Sequence, residues 1–328
     1  DSSSAASDVY KRQGRDEAGD AALKMASELS PAQANLERAT QLFAQGKFRE
    51  SEEIAKKILE DNPREVNAGL LLGRIAIHAR AFKQAEKLLK RVIKIAPKFI
   101  LAWHELSNAL REQGKDEEAI ELLEEALLFD TENATTHYQL AAALAVAGRT
   151  ADSASAYKKA VQIDPNLVGA YLGLGHTLKT MGDLEGGIAA YKQARKLKPN
   201  IGEISFSLSN LKTFRFSDLE IEDMKRRLNN PNLDQPSKVA FSFSLGKAYE
   251  DMKKYDEAFE FYLRGNEIHR SLVTYDPVQT EVSNEKLKEV FSKDFFDKLD
   301  SSKVGNSDPS PIFIVGMPRS GSSLIEQI

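Results

Sequence analysis

The sequence predicts an all-α solenoid of stacked helix pairs, and three observations carry that prediction. Proline recurs at a step of 34 residues, at Pro63, Pro97, Pro165 and Pro199, with Thr131 in the one missing slot. Glycine keeps the same step at Gly46, Gly114, Gly148 and Gly182, interrupted only by Arg80. Between the two rows, apolar residues return at helical rather than strand spacing, and a unit of this length accommodates two antiparallel helices with their turns. The glycine accommodates the turn before the second helix, and the proline stops that helix.

Taken in order, the chain begins with a Ser/Ala-rich lead from Asp1 that has no hydrophobic periodicity. Residues 1–30 read as a disordered or non-native extension with a short helix at most. Residues 31–270 read as about seven helix pairs, five of them in register from about Ala32 to Asn200. One pair cannot bury its own apolar face, so stacking supplies the core. Small residues such as Gly73, Ala119 and Gly175 let paired helices approach, and aromatics fill the gap to the next pair. The period slips near 202–235, where Phe214 to Asp218 and Asn229 to Asn232 insert length. A helix from Ser217 to Leu228 there is capped by Ser217 or Asp218. Residues 271–310 read as a helical junction and linker, with one or two helices from Pro277 to Leu299. At 311–328 the apolar run Ile312 to Val315 reads as a buried strand, followed by a glycine-containing loop and, from Ser322, a helix N-terminus.

The details of the repeat point further. Tyr171, Leu174, Gly175, Tyr191, Ala194 and Pro199 form one copy of a pattern, and Trp103, Leu106, Ala119, Leu123 and Ala126 form another. Leu245, Gly246, Tyr249, Ala258 and Tyr262 restore it after the slip. This pattern resembles the tetratricopeptide repeat. The resemblance implies a concave groove lined by the first helix of each pair. The groove positions supply Arg74 and His78, then His104, Asn108 and Arg111, then Tyr138, then His176 and Lys179. That set is modestly basic and rich in hydrogen-bonding groups, diluted by Glu112, and it suits a protein or an extended acidic peptide. The competing reading is an ordinary solvated face. Three histidines in three separate repeats do not make a metal site, so no metal is expected. His137 falls at a packing position, and His269 has no evident partner.

Composition excludes several classes. With 45 basic and 49 acidic residues nothing draws the chain to nucleic acid, and the aromatics recur at packing positions rather than as a base-stacking platform. The absence of cysteine removes disulfides, thiol catalysis and thiolate metal sites. No apolar run reaches eighteen residues and no signal segment leads the chain, so the sequence predicts a protein outside the membrane, in the cytoplasm.

The closing stretch carries the chemistry. Gly316 and Gly321 keep the glycine spacing of a Walker A loop, yet Ser322 stands where that loop needs lysine. A loop at a helix N-terminus still offers backbone N–H groups to one phosphate. Pro318-Arg319-Ser320-Gly321-Ser322-Ser323-Leu324 after an apolar strand resembles the phosphosulfate-binding loop of sulfotransferases. Its arginine is similar to that of the tyrosylprotein-type and bacterial repeat-containing branch. The resemblance implies a truncated α/β, P-loop-like domain that uses 3′-phosphoadenosine 5′-phosphosulfate as co-substrate and no metal. It also implies sulfuryl transfer to a protein or peptide hydroxyl, tyrosine among the candidates. Arg319 would then neutralise the leaving phosphate, while Ser320, Gly321, Ser322 and Ser323 cradle its oxygens. The general base and the 3′-phosphate site would follow residue 328, so the chain is expected to be inactive by itself. The alternative is a non-catalytic scaffold that mediates protein–protein interaction.

Overall fold

The structure of the chain is a computed structural model that describes residues 31–298. Seven helix pairs succeed one another. They are α1 (Pro31–Ala44) with α2 (Phe48–Asp61), α3 (Val66–His78) with α4 (Phe82–Ile95), and α5 (Ile100–Arg111) with α6 (Asp116–Phe129). Next come α7 (Ala134–Val146) with α8 (Thr150–Ile163), and α9 (Val168–Thr180) with α10 (Leu184–Leu197). The last two are α11 (Gly202–Ser209) with α12 (Asp218–Leu228), and α13 (Gln235–Asp251) with α14 (Tyr255–Leu272). No strand occurs among the described residues. The strand, loop and helix expected at 311–328 lie outside them.

The glycine row does what its spacing implies. Gly46, Gly114, Gly148 and Gly182 take φ of +76°, +71°, +77° and +85°, closing the turn between the two helices of a pair. Arg80 occupies the same place with φ +57°, a left-handed conformation that costs an L-residue with a Cβ about 1 kcal/mol. Arg80→Gly is therefore expected to stabilise the chain by about 1 kcal/mol, less whatever the looser unfolded chain gives back. A melting temperature that falls would refute this account of the turn.

In the in-register pairs the second helix ends two residues ahead of the proline, or of Thr131 in its place, and the turn that follows is braced from the next repeat at two of these points. Trp103 Nε1 donates to the Pro97 carbonyl at 2.8 Å, and His137 Nε2 sits 3.0 Å from the Thr131 carbonyl, six residues back in both cases. His137 is thus a half-buried brace on the turn rather than a core residue. Within the pairs, Ser51 Oγ and Ser153 Oγ each donate to a carbonyl on the partner helix, those of Ala39 and Ala141, at 2.8 Å. The neighbours of Ser51 and Ser153 in that row are Ala85, Ala119 and Gly187, so the row stays small wherever two helices cross closely.

The sixth pair is the irregular one. Helix α11 has only eight residues, and α11 and α12 pack chiefly on α13. Gly202 sits hard against α13, where a Cβ would fall 2.5 Å from the Ser237 carbonyl oxygen, and its N–H reaches Ser237 Oγ at 3.2 Å. Ser217 is the cap of α12 and forms a full capping box: Glu220 N–H donates to its hydroxyl, and Ser217 N–H donates to the Glu220 carboxylate at 2.8 Å.

The chain divides into two compact units, the first ending at His269 and the second beginning at Arg270. The described part of the second contains α15 (Pro277–Val290) and α16 (Lys293–Asp297). Asp276 caps α15 and Ser292 caps α16, and neither helix has a buried residue. Phe291, Phe295 and Phe296 touch one another in edge-on and stacked contacts.

Candidate functional site

The first helices of successive repeats lie directly against one another, α3 with α5, α5 with α7 and α7 with α9. This inner layer carries the predicted groove residues. Their side chains fall into two groups.

Four are drawn into the fold itself. Arg74 Nε is 3.2 Å from Glu105 Oε1 of the next repeat, and its guanidinium lies 5.1 Å above the Phe43 ring of the previous one. Arg74 therefore stitches three repeats together. His104 is only 6% exposed, and its Nε2 is 2.7 Å from Thr136 Oγ1 on α7. Burial pushes it down to about 4, so at neutral pH it is an uncharged internal link rather than a groove cation. His176 is exposed at its edge, but its Nδ1 is 2.8 Å from the Tyr191 hydroxyl. Its pKa is lowered, first by burial, with Glu203 opposing. Tyr138 is half-buried between the Tyr157 ring, at 6.0 Å, and the position of Gly169.

The others are less engaged, although His78 packs on the Phe48 ring at 3.7 Å. His78, Asn108 and Arg111 converge on one cleft of about 680 Å³ between the ends of α3, α5 and α7. Lys179 is exposed and belongs to no ion pair among the described residues. Arg111 carries the strongest local signal, because its Nε is buried with no hydrogen-bond partner and a buried donor left unmade costs about 1–3 kcal/mol. The same cleft is lined by Ile77, Arg80, Phe82, Glu112, Asp116 and Val146, most of which the groove register does not point to. They come from the turns between paired helices and from the helix ends beside those turns. Arg80, the one break in the glycine row, is the sequence signal that could have pointed there. With Arg80 and Arg111 against Glu112 and Asp116, and apolar Ile77, Phe82 and Val146 between, the cleft can take a side chain with a polar or charged head and an apolar stem.

Among the described residues no cluster of ligating side chains could hold a metal, and no helix is long and apolar enough to cross a membrane. Arg319, Ser320, Gly321, Ser322 and Ser323 lie outside the described residues.

A row of left-handed turns, helix pairs at a 34-residue step and an inner layer of first helices defines the class of α-solenoid repeat proteins. Comparison with known families specifies the repeat. Residues 42–110 match the family described as Tetratricopeptide repeat, residues 107–148 that described as TPR repeat, and residues 168–201 and 240–270 a second Tetratricopeptide repeat family. The chain is a tetratricopeptide-repeat protein. An uncharacterized protein of Aquifex aeolicus is 31% identical over 118 residues, 36% of this chain but only 15% of that protein. Among solved structures, a thermophilic tetratricopeptide-repeat protein of Thermus thermophilus is similar at 21% identity and a TM-score of 0.46, covering 53% of this chain and 94% of that one. MamA of Desulfovibrio magneticus is similar at 17% identity and 0.45, covering 51% and 95%. YrrB, titled a protein with an unusual peptide-binding site, is similar at 16% identity and 0.41, covering 50% and 85%.

Proposed function

We propose that the repeat array is a protein-interaction scaffold that holds an extended peptide along its first helices, anchored in the cleft between α3, α5 and α7. The observation that supports this most is Arg111, a cation in the inner layer whose Nε is buried without a partner beside an open cleft. An acidic side chain of the peptide pairs with the Arg111 guanidinium where it lines the cleft. With His104 neutral and Arg74 already paired, the cationic character of the groove rests on Arg80, Arg111 and Lys179. Fluorescence anisotropy of a labelled acidic peptide against the full chain tests this. Arg111→Glu combined with Lys179→Glu is expected to weaken binding roughly tenfold or more, since charge reversal adds repulsion to the lost attraction. Affinity that does not change removes the groove assignment.

A second reading keeps a specific observation in its favour, the run Pro318 to Leu324 after the apolar stretch Ile312 to Val315. On that reading the scaffold presents a peptide hydroxyl to a sulfuryl-transfer domain that begins near Pro311. Calorimetric titration with adenosine 3′,5′-bisphosphate separates the two. Binding by a protein that continues past Ile328, lost in Arg319→Ala, supports the transferase. No heat, or heat unaffected by that substitution, leaves the scaffold.

A further inference from the structure

We propose that the outer faces of α4 and α6 form the interface of a two-fold symmetric dimer, with α4 of one copy on α6 of the other. The two helices are opposites in charge. Helix α4 buries Ala85, Leu89 and Val92 and exposes Lys83, Lys87, Lys90, Arg91 and Lys94. Helix α6 buries Ala119, Ile120, Leu123 and Ala126 and exposes Glu117, Glu118, Glu121, Glu124 and Glu125. Like charges three and four residues apart on one helix repel by about 0.2–0.5 kcal/mol per pair, and both faces are built from such pairs. Their neutralisation within the chain is partial. Lys90 is paired with Glu86, but Lys83, Lys87, Lys94, Glu121, Glu124 and Glu125 enter no ion pair among the described residues.

The stripes are also locked side by side. Glu86 of α4 accepts from Lys90 at 2.7 Å, from Lys115 at 3.0 Å and from Gln113 at 3.1 Å, the last two just ahead of α6. These hydrogen bonds hold its carboxyl near 2 against an opposing push from burial. Helix α5 packs on both α4 and α6 from the inner side. A basic stripe therefore runs beside an acidic one on a single surface.

A surface of that kind is complementary to itself under one operation. A two-fold axis lying in the face, parallel to the helices and between them, sets α4 opposite α6 of the second copy and α6 opposite its α4. An axis across the helices would set like charges together. The favoured axis also keeps the helices pointing the same way, so their C-terminal ends meet. There Ile95, 36% exposed, faces Leu128 of the second copy, 80% exposed, which gives the charged contact an apolar centre at one end. A polyanion or polycation would be attracted by one stripe and repelled by the other; a second copy of this chain satisfies both. Each helix has 14 residues and spans about 21 Å, which makes a small interface and a weak, salt-sensitive dimer.

Sedimentation velocity of the full chain tests the assignment. At about 0.05 M salt a concentration-dependent dimer is expected, weakened roughly tenfold at about 0.5 M as screening shortens the reach of the charges. The triple reversal Lys83→Glu, Lys87→Glu, Lys94→Glu is expected to abolish it, and so is Glu121→Lys, Glu124→Lys, Glu125→Lys. The first variant then carries more acidic than basic groups on α4, and the second makes α6 basic over its last turns, so an equimolar mixture is expected to restore a one-to-one dimer. Circular dichroism of each variant confirms the fold. A wild-type chain that stays monomeric at low salt, a dimer that survives either reversal, or a mixture that fails to pair although both variants are helical, overturns the proposal. The salt series on the unaltered chain decides the question even where a reversal disturbs folding.

Discussion

Tyr191→Ala is expected to destabilise the chain by about 4 kcal/mol, whereas Tyr191→Phe is expected to cost only about 1. The Tyr191 side chain is fully buried at 0% exposure, packed in one core cluster with Ala194, Ile204, Leu208 and Leu211. Its ring lies over Gly175, where a Cβ would come within 2.4 Å of it, so no neighbouring side chain can swing in to fill the space after truncation. The hydroxyl is separable from the ring. It meets His176 Nδ1 at 2.8 Å, and because His176 is itself exposed, water replaces that bond in the phenylalanine variant. Repeats touch only their neighbours, so the loss should stay local. Hydrogen exchange is expected to accelerate in α9, α10 and α11 and to remain unchanged in α3 to α6, while urea denaturation reports the size. A uniform acceleration along the array, or an alanine variant no weaker than the phenylalanine one, would contradict this packing.

The period was enough to read the turns and helices of the five pairs in register, because one steric requirement repeats at each step. A left-handed residue follows the first helix of each of these pairs, and even Arg80 adopts that conformation where glycine is missing. The period failed where a side chain answers to its partner rather than to its register. Arg74 stands at a groove position, yet Glu105 and Phe43 claim it, and both belong to other repeats. His104 stands at another, yet Thr136 on the next first helix turns it inward. Nothing in a repeat of 34 residues says what faces a position from the repeat beside it. The charged stripes escaped for a related reason: a net charge of −4 averages a basic α4 against an acidic α6 and reports neither.

The stability of the array is expected to fall by about 3 kcal/mol as pH drops from about 6.5 to about 4, and His104 is the source. Its side chain is buried between α5 and α7, and burial holds it near 4 against an ordinary value of 6.5. The sign follows from proton counts. Above 6.5 the imidazole is neutral in both states and contributes nothing to the pH dependence. Between 6.5 and 4 the unfolded chain takes up a proton that the folded chain refuses, so unfolding gains as pH falls. Below 4 both states are protonated and the loss stops growing. From about 4.5 downward Glu86, held near 2, and the lowered Glu220 and Glu250 begin to add a loss of the same sign, so the stretch from about 6.5 to about 5 belongs to the histidines, with His176 acting in the same direction as His104. Burial rather than the Thr136 bond is the cause, which gives two variants opposite outcomes. His104→Gln should flatten the profile between pH 6.5 and 4, whereas Thr136→Val should lower stability at every pH and leave the slope in place. Urea titrations across that range measure both. A His104→Gln chain that keeps the full acid sensitivity would move its origin elsewhere, and a flattened Thr136→Val profile would make the hydrogen bond, not the apolar surroundings, the group that holds His104 neutral between the third and fourth repeats.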